Sequence, residues 1–210
     1  MTDSSRFPVL NPSQVVQRFR DKGKWVITFL GFGELGYEEP GSIRQIAERL
    51  LAQRDHNVTI VNTGTLIRVG GLDGIAGVYP IAKALGFETT GVHPSIALSH
   101  AQTHQVSPYV QEASFVQDST WGGYLPESGA PSPTLQTLLT ITDECVVIGG
   151  GKHTADEMQA FREQGTPIIF HAAQMNHHLT RQWAKDAGLE LPNFDGAAYE
   201  VWRREDSHSI

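Results

Sequence analysis

Short apolar runs alternate along the chain with longer stretches in which apolar residues recur every three or four positions. The runs are rich in β-branched and aromatic residues, which is typical of buried strands. The predicted strands span residues 25–30, 58–61, 89–92, 113–117, 145–148 and 167–170. Because helices cover both faces of a parallel sheet, this alternation predicts an α/β fold: a Rossmann-like, doubly wound, mainly parallel sheet in a single domain.

Helical periodicity fills most gaps between the strands. The predicted helices span 75–86, 135–141, 154–164 and 177–187, the last capped by Asn176 and ending before Gly188. Met158 and Phe161 are expected to face the sheet. Ser42 and Gln45 have the spacing of a capping box, which predicts that another helix begins at Ser42.

The N-terminal segment precedes the first predicted strand. Asn11 followed by Pro12 predicts the start of a short helix there, with asparagine as the cap and proline in the first turn. We expect residues 1–20 to form an N-terminal appendage and residues 21–210 to form the Rossmann-like nucleotide-binding domain.

Composition narrows the function classes. The chain has 210 residues, of which 40% are hydrophobic, so one domain with a real core is expected. A formal net charge of −7 argues against a nucleic-acid partner but leaves open a small anion, which backbone N–H groups can bind. No apolar run reaches the ~20 residues of a membrane span, the first residues lack a signal-peptide pattern, and Cys145 is expected to be a buried strand thiol. These features predict a cytoplasmic protein with no membrane partner.

Glycine clusters follow the predicted strands that end at residues 30, 61 and 148. Ligands of open parallel sheets bind outside the carboxyl ends of the strands, so we expect the site there. The long loop predicted for residues 118–133 also begins at this edge. Its Trp121 either stacks on a ligand base or anchors the loop in the core.

The first cluster, Gly31 to Gly36, matches the dinucleotide-binding pattern G-x-G-x-x-G. However, the cluster does not lead directly into a helix, because Tyr37 to Pro40 intervene, and the second strand ends in Asn62 with no carboxylate for a ribose. The pattern therefore favours a tight turn with close backbone approach over NAD binding.

The second cluster, GGLDGIAG at residues 70–77, opens a predicted helix. Either its glycines allow an anion to approach the helix start, or they serve helix–sheet packing with Asp73 as the N-cap.

The third cluster, GGGKHTADE at residues 149–157, is the most informative. Glycines between a strand and a helix leave backbone N–H groups free for a phosphate, and Lys152 adds positive charge. Alternatively, Thr154 and Glu157 form a capping box, although that explains the three preceding glycines less well.

The second and third clusters resemble those of the cytokinin-activating nucleotide phosphoribohydrolases, often called lysine-decarboxylase-like or LOG-like. That superfamily also includes nucleotide-sensing and molybdenum-cofactor-carrier-like members. Its turn is G-G-x-G-T-x-x-E, which Gly150, Gly151, Thr154 and Glu157 match, whereas His153 replaces the third glycine. The resemblance covers roughly residues 25–188 and implies nucleotide binding and a homodimer.

The resemblance breaks at one point that bears on catalysis. Catalytic members carry an Arg-Lys pair on the helix before the glycine turn, whereas residues 132–142 contain no basic residue. If the reaction is retained, Glu157 would help to break the N-glycosidic bond of a nucleoside 5′-monophosphate, giving base and ribose 5-phosphate. Arg68, Lys152 or His153 would have to replace the missing cations. The alternative is a non-catalytic nucleotide or cofactor binder, acting as a sensor or carrier.

The histidines offer weaker candidates. His100 and His104 have a metal-ligand spacing if the segment is helical, but the segment has an irregular pattern and no metal is predicted. His171 follows a strand and points toward the expected site, whereas His177 and His178 are expected to be structural.

The sequence thus predicts Glu157 as the catalytic candidate, a nucleotide or phosphorylated small molecule as ligand, and no separate cofactor. The candidate ligand-binding residues are Gly31, Phe32, Gly33, Glu34, Thr63, Gly64, Arg68, Gly70, Gly71, Gly74, Asp118, Trp121, Gly149, Gly150, Gly151, Lys152, His153 and Thr154.

Overall fold

The computed structural model describes residues 7–206, in which strands and helices alternate. The strands are β1 (Val9–Leu10), β2 (Trp25–Gly31), β3 (Val58–Asn62), β4 (Leu66–Arg68), β5 (Glu88–Pro94), β6 (His104–Val106), β7 (Glu112–Val116), β8 (Glu144–Ile148) and β9 (Ile168–His171). The helices are α1 (Pro12–Lys22), α2 (Pro40–Leu51), α3 (Val78–Ala84), α4 (Pro133–Ile141), α5 (Lys152–Gln164), α6 (His177–Ala187) and α7 (Gly196–Asp206). Short 3₁₀ turns span Gly74–Gly77 and Ser95–His100.

Seven parallel strands form one sheet in the order β1-β7-β5-β3-β2-β8-β9. The predicted fold class, a Rossmann-like α/β domain, is therefore confirmed. β4 and β6 form a separate antiparallel ribbon. After β2 the chain runs outward through β3, β5 and β7, and then returns to place β8 on the other side of β2. Such a reversal of strand order opens a crevice at the carboxyl ends of the two strands, here where Gly31 pairs with Ile148.

The two faces of the sheet carry separate cores. On one face Ile27 and Phe29 pack in a cluster with side chains of α2 and α3, and on the other Val26 and Leu30 pack with side chains of α1, α4 and α5. Successive strand residues point to opposite faces, so this alternation along β2 covers both sides. Met158 and Phe161 are fully buried, which confirms the predicted inner face of α5.

Residues 7–20, which the sequence set apart as an appendage, contribute to this sheet and its core. β1 pairs with β7, and Val15 and Phe19 of α1 are buried. The predicted cap at Asn11 is present, because its side chain accepts from the Gln14 N–H at 2.9 Å. Residues 1–6 lie outside the described residues.

Two helix predictions were wrong. Helix α2 begins at Pro40, whose fixed φ suits a first turn, and the Ser42 hydroxyl donates to the Glu39 carbonyl instead of capping the helix. α6 is not the last helix, because α7 follows it and packs along α5. The segment of His100 and His104, whose pattern is irregular, forms the 3₁₀ turn Ser95–His100 and β6.

Candidate functional site

The turn after β2 is fixed by Tyr37. The Tyr37 hydroxyl donates to the Ile148 carbonyl at 2.9 Å and accepts from the Phe32 N–H at 3.1 Å, so it ties the turn to β8. Burial raises the pKa of this hydroxyl far above its usual range, since only the neutral form can remain in the core. A β-carbon on Gly31 would lie 2.1 Å from the same hydroxyl oxygen, so this position requires glycine.

The turn after β8 contacts the turn after β2. Gly149 and Gly150 have φ of 55° and 130°, which side chains disfavour. A β-carbon on Gly149 would lie 2.6 Å from the Phe32 ring and 2.8 Å from the Ala173 carbonyl oxygen. The first and third glycine clusters therefore meet at the edge of the sheet where the sequence places the ligand.

Helix α5 begins at this turn with free donors. Its N-cap is Gly151, which has no side chain to accept a hydrogen bond, whereas α1, α4 and α6 are capped by Asn11, Ser132 and Asn176. Within residues 7–206, the N–H groups of residues 151–154 have no hydrogen-bond partner, and the first helical bond is made by Ala155. The first N–H groups of a helix point outward along its axis and carry its positive dipole.

The alternative of a capping box at Thr154 and Glu157 is contradicted. The Thr154 hydroxyl instead donates to the Gly31 carbonyl at 3.1 Å, which links the start of α5 to the end of β2. The threonine therefore fixes the distance between the two turns and leaves the helix N–H groups uncapped.

A cavity of about 680 Å³ opens at this junction, a typical volume for a small-ligand site. It is lined by the predicted residues Gly31, Phe32, Gly33, Glu34, Gly151, Lys152, His153 and Thr154. Its other walls were not predicted and consist of Leu35, Met175, Trp183, Pro192, Asn193, Gly196, Ala197 and Glu200.

The C-terminal segment reaches this cavity through direct backbone contact. The Ala198 N–H donates to the Gly150 carbonyl at 3.1 Å, and a β-carbon on Gly196 would lie 2.3 Å from the same oxygen. Pro192, Asn193, Asp195 and Gly196 are residues typical of a turn, but nothing local in the sequence indicates the contact with Gly150.

Two charged residues of the third cluster are not arranged as a nucleotide hydrolase would require: Lys152 lines the cavity but is already paired, and Glu157 is not among the lining residues. Lys152 is 81% exposed and its ammonium pairs with Asp156 at 2.8 Å. Glu157 is half-buried, is not among the cavity-lining residues, and has no hydrogen-bond partner within residues 7–206. Burial, with a smaller contribution from the charge of Asp156, raises the pKa of Glu157 to about 8.

The second cluster is divided between two places. Gly74 packs behind the β2 turn, since its β-carbon would lie 2.1 Å from the Gly33 carbonyl oxygen. Thr63 and Gly64 also follow β3 behind this turn, where the Thr63 N–H donates to the Phe29 carbonyl. Asp73 occupies the N-cap position of the 3₁₀ turn Gly74–Gly77, as the packing alternative predicted, but its side chain makes no cap hydrogen bond.

Arg68, Gly70 and Gly71 lie on the outer side of the site. The Arg68 guanidinium is 3.9 Å from the Glu34 carboxylate, which also pairs with His104. Gly70 and Gly71 turn the chain after β4, and together with Arg68 they line a second cavity that shares Glu34 with the first.

Asp118 and Trp121 lie in the long loop. The Asp118 carboxylate accepts four hydrogen bonds, from the N–H and hydroxyl of both Thr120 and Thr134. Burial alone would raise its pKa, but these donors hold it below the ordinary value. Asp118 is thus placed as the anchor of the loop on α4. Trp121 is exposed, with its ring 5.0 Å from that of His100.

The histidines do not form a metal site in the described part of the chain. Within residues 7–206, no group of three or more histidine, cysteine, aspartate and glutamate side chains is arranged to hold a metal ion. His171 ends β9 with its Nε2 buried and unpartnered, and burial together with the charge of Arg49 lowers its pKa. Cys145 is a buried thiol, as predicted.

Comparisons with known proteins found structural likeness only. No family model and no curated protein matches the chain. The X-ray structure of TM1055, a structural-genomics target, is 20% identical, with a TM-score of 0.46 over 69% of this chain and 72% of that one. The molybdenum cofactor carrier protein of Chlamydomonas reinhardtii is 18% identical, with a TM-score of 0.46 over 86% of this chain and 97% of that one. Separately, none of the helices within residues 7–206 has the length and apolar character needed to cross a bilayer.

Proposed function

We propose that this chain binds a phosphorylated small molecule of the nucleotide class, with a phosphate at the start of α5. The observation that carries the proposal is the run of four uncapped N–H groups, from Gly151 to Thr154, at the mouth of a cavity of ligand size. Phosphate oxygens are acceptors only, so they complement such a row of donors, and the helix dipole favours their charge.

The remainder of the cavity suits the organic part of such a ligand. Phe32, Trp183 and Pro192 provide apolar surface against which a base can pack. Glu34 and Glu200 provide carboxylate oxygens that can accept hydrogen bonds from sugar hydroxyl groups. The cavity thus offers donors for a phosphate at the start of α5 and also apolar surface and acceptors for a base and a sugar. This combination favours a nucleotide over inorganic phosphate.

Binding without turnover is the form of this function that the geometry supports best. Among residues 7–206, no arginine lines the cavity, and the one lysine that does, Lys152, is engaged with Asp156. A hydrolase of this kind must stabilise charge on the sugar as the glycosidic bond breaks, and the residue expected to do so, Glu157, does not line the cavity. We therefore propose a sensor or carrier.

Hydrolysis of a nucleoside monophosphate is the second candidate, and Glu157 favours it. A carboxyl group whose pKa is raised to about 8 near a candidate site is a common property of acid–base residues. Incubation with a panel of nucleoside monophosphates, followed by chromatography, would decide between the candidates. We expect no free base, whereas base released by the wild type and not by Glu157→Gln would establish the hydrolase.

Binding itself is tested by occupying the N–H groups with a side chain. Gly151 has φ −84° and open space at its β-carbon position, so Gly151→Asp and Gly151→Asn can adopt the N-cap geometry. Both variants should be at least as stable as the wild type without ligand. The aspartate places a negative charge on the phosphate site, whereas the asparagine only competes for the donors.

The measurement is the rise in melting temperature caused by AMP, GMP, CMP and UMP. We expect the wild type to be stabilised by at least one of them, Gly151→Asn to be stabilised less, and Gly151→Asp not at all. Equal stabilisation of Gly151→Asp and wild type would refute phosphate binding at α5. The homodimer implied by the resemblance stays a prediction, to be checked by analytical ultracentrifugation.

A further inference from the structure

A second cavity of about 910 Å³ adjoins the first. Both cavities are lined by Glu34, Leu35 and Trp183, so these residues lie where the two cavities meet. The remaining walls are formed by the loop after β4 and by the outer face of α6, and consist of Arg68, Val69, Gly70, Gly71, Leu72, Leu179, Gln182, Asp186 and Ala187.

The second cavity exposes apolar side chains that the fold does not cover. Trp183 is 45% exposed, Val69 61% and Leu72 43%, and all three line this one space. Large apolar side chains that converge on a cavity next to a candidate site are typical of a ligand subsite. A tryptophan in the wall offers a flat face to a planar ring.

The charges of the second cavity differ from those at the start of α5. Glu34 and Asp186 provide two carboxylates. Among the lining residues within 7–206, the one cationic group is the Arg68 guanidinium, which lies 3.9 Å from Glu34. The net negative charge here would repel a phosphate but not a neutral or cationic ring. The carboxylate of Glu34 at the junction suits the hydroxyl groups of a sugar.

We propose that the two cavities form one cleft for a dinucleotide, with the pyrophosphate at the start of α5 and the second base in the second cavity beside Trp183. This inference rests on the proposed function, since it assumes phosphate binding at α5, and it adds the size and the second ring of the ligand. The cleft thereby distinguishes dinucleotides from mononucleotides.

Two probes isolate the second ring. ADP-ribose and diadenosine diphosphate share the adenosine, pyrophosphate and second ribose, and differ by one adenine. We expect diadenosine diphosphate to bind at least about tenfold more tightly by isothermal titration calorimetry, because stacking of a base on an aromatic side chain contributes at about this level. Equal affinities for the two probes would overturn the inference. If ADP-ribose binds in that case, the proposed function still stands. Absence of binding by both probes and by every mononucleotide would remove both.

The variant that tests the location is Val69→Asp. Val69 lines only the second cavity, and its side chain is exposed, so the substitution should not affect folding. We expect Val69→Asp to bring the affinity for diadenosine diphosphate down to that for ADP-ribose and to leave ADP-ribose binding unchanged. The control is Tyr109→Asp, which changes an exposed aromatic side chain near the amino end of β7 and should preserve the tenfold preference.

The other possible occupant of this face is a second copy of the chain. Sedimentation velocity of wild type and Val69→Asp distinguishes it, because a copy–copy interface would dissociate in the variant. Dissociation with an unchanged ratio of ligand affinities would overturn the inference and assign the face to the dimer. An unchanged sedimentation coefficient with loss of the tenfold preference would support the subsite.

Discussion

The two ends of the parallel sheet use their polar groups in opposite ways. At the amino ends of the strands, Lys22 pairs with both Glu88 and Glu112, Lys24 pairs with Glu88 at 2.7 Å, and Arg54 pairs with Glu144 at 2.5 Å. At the carboxyl ends of β2 and β8, the N–H groups of residues 151–154 lack protein partners within the described chain.

This difference separates stabilisation from binding within one fold. At the amino end the charges neutralise one another, so no ligand is required to balance them. At the carboxyl end the donors are held in place by glycine turns and by the Tyr37 hydroxyl, and a bound anion would complete their hydrogen bonds. Substitutions at the amino end should therefore change stability alone, and those at the carboxyl end should change binding as well.

The largest effect is expected at Gly149. An alanine there would combine a φ of 55° with contacts of 2.6 Å to Phe32 and 2.8 Å to the Ala173 carbonyl. We expect Gly149→Ala to lower the free energy of unfolding by about 2–3 kcal/mol and to abolish nucleotide binding. The matched control is Gly151→Ala, whose β-carbon meets open space and which should cost no more than about 1 kcal/mol as a poorer N-cap. Similar urea denaturation midpoints for both variants would contradict the geometry of the turn.

The next effect concerns the pH dependence of stability at Glu157. Because burial raises its pKa from an ordinary 4.5 to about 8, the folded state holds a proton that the unfolded state releases. The stabilisation from this proton is complete below pH 4.5 and is lost as the pH rises to about 8. A glutamine side chain at this position does not titrate and would lose nothing. Glu157→Gln should therefore be more stable than wild type by about 1–2 kcal/mol at pH 8 and equal to it near pH 4.5.

Denaturation of both proteins from pH 4 to pH 9 provides this measurement. The expected energy is smaller than the full pKa shift would give, because the half-buried side chain retains some contact with solvent. A wild type more stable than Glu157→Gln at pH 8 would mean that the ionised carboxylate makes a favourable contact in the folded protein.

The sequence predicted the sheet well because both of its faces are buried. Strands such as β2 and β8 then appear as continuous apolar runs, and each was predicted to within one residue at either end. β1 was missed because two residues carry no periodicity. α7 was missed because its contacts with α5 depend on the path of the chain after α6 and not on a local pattern.

The candidate site likewise contains residues that the sequence could predict and residues that it could not. The turns at Gly31 and Gly149 could be predicted, because backbone that approaches a neighbour closely or takes positive φ requires glycine. Trp183 and Pro192 could not, because they reach the cavity only through tertiary folding. The sequence predicted that Lys152 adds positive charge to the phosphate site. Its side-chain rotamer instead places the ammonium beside Asp156, which the sequence pattern alone does not determine.

A smaller effect is expected at the amino end, where Lys22→Met leaves Glu88 paired with Lys24 and Glu112 paired with Arg18. Burial alone would raise the pKa of Glu88, but hydrogen bonds and attraction from Lys22 and Lys24 hold it below the ordinary 4.5. A lowered pKa means that this stabilisation is present above pH 4.5 and is lost as the pH falls below it. We expect Lys22→Met to cost about 1 kcal/mol at pH 7, less at pH 3, and to leave nucleotide affinity unchanged.

The smallest effect is expected at Lys152, where the charge of the residue and its observed pairing predict opposite effects on ligand affinity. Its position beside the phosphate site suggests strong binding, but its exposed ammonium lies 2.8 Å from Asp156, in an i,i+4 pair on the helix surface. Such a pair contributes about 0.3–0.5 kcal/mol, and a charge already neutralised by a neighbour adds little to anion binding. Lys152→Ala should therefore reduce nucleotide affinity by no more than about threefold in calorimetry, whereas Gly151→Asp should abolish it. A hundredfold loss of nucleotide affinity would show that the lysine leaves Asp156 when the ligand binds. The carboxyl end would then bind the ligand with side-chain charge as well as with backbone donors.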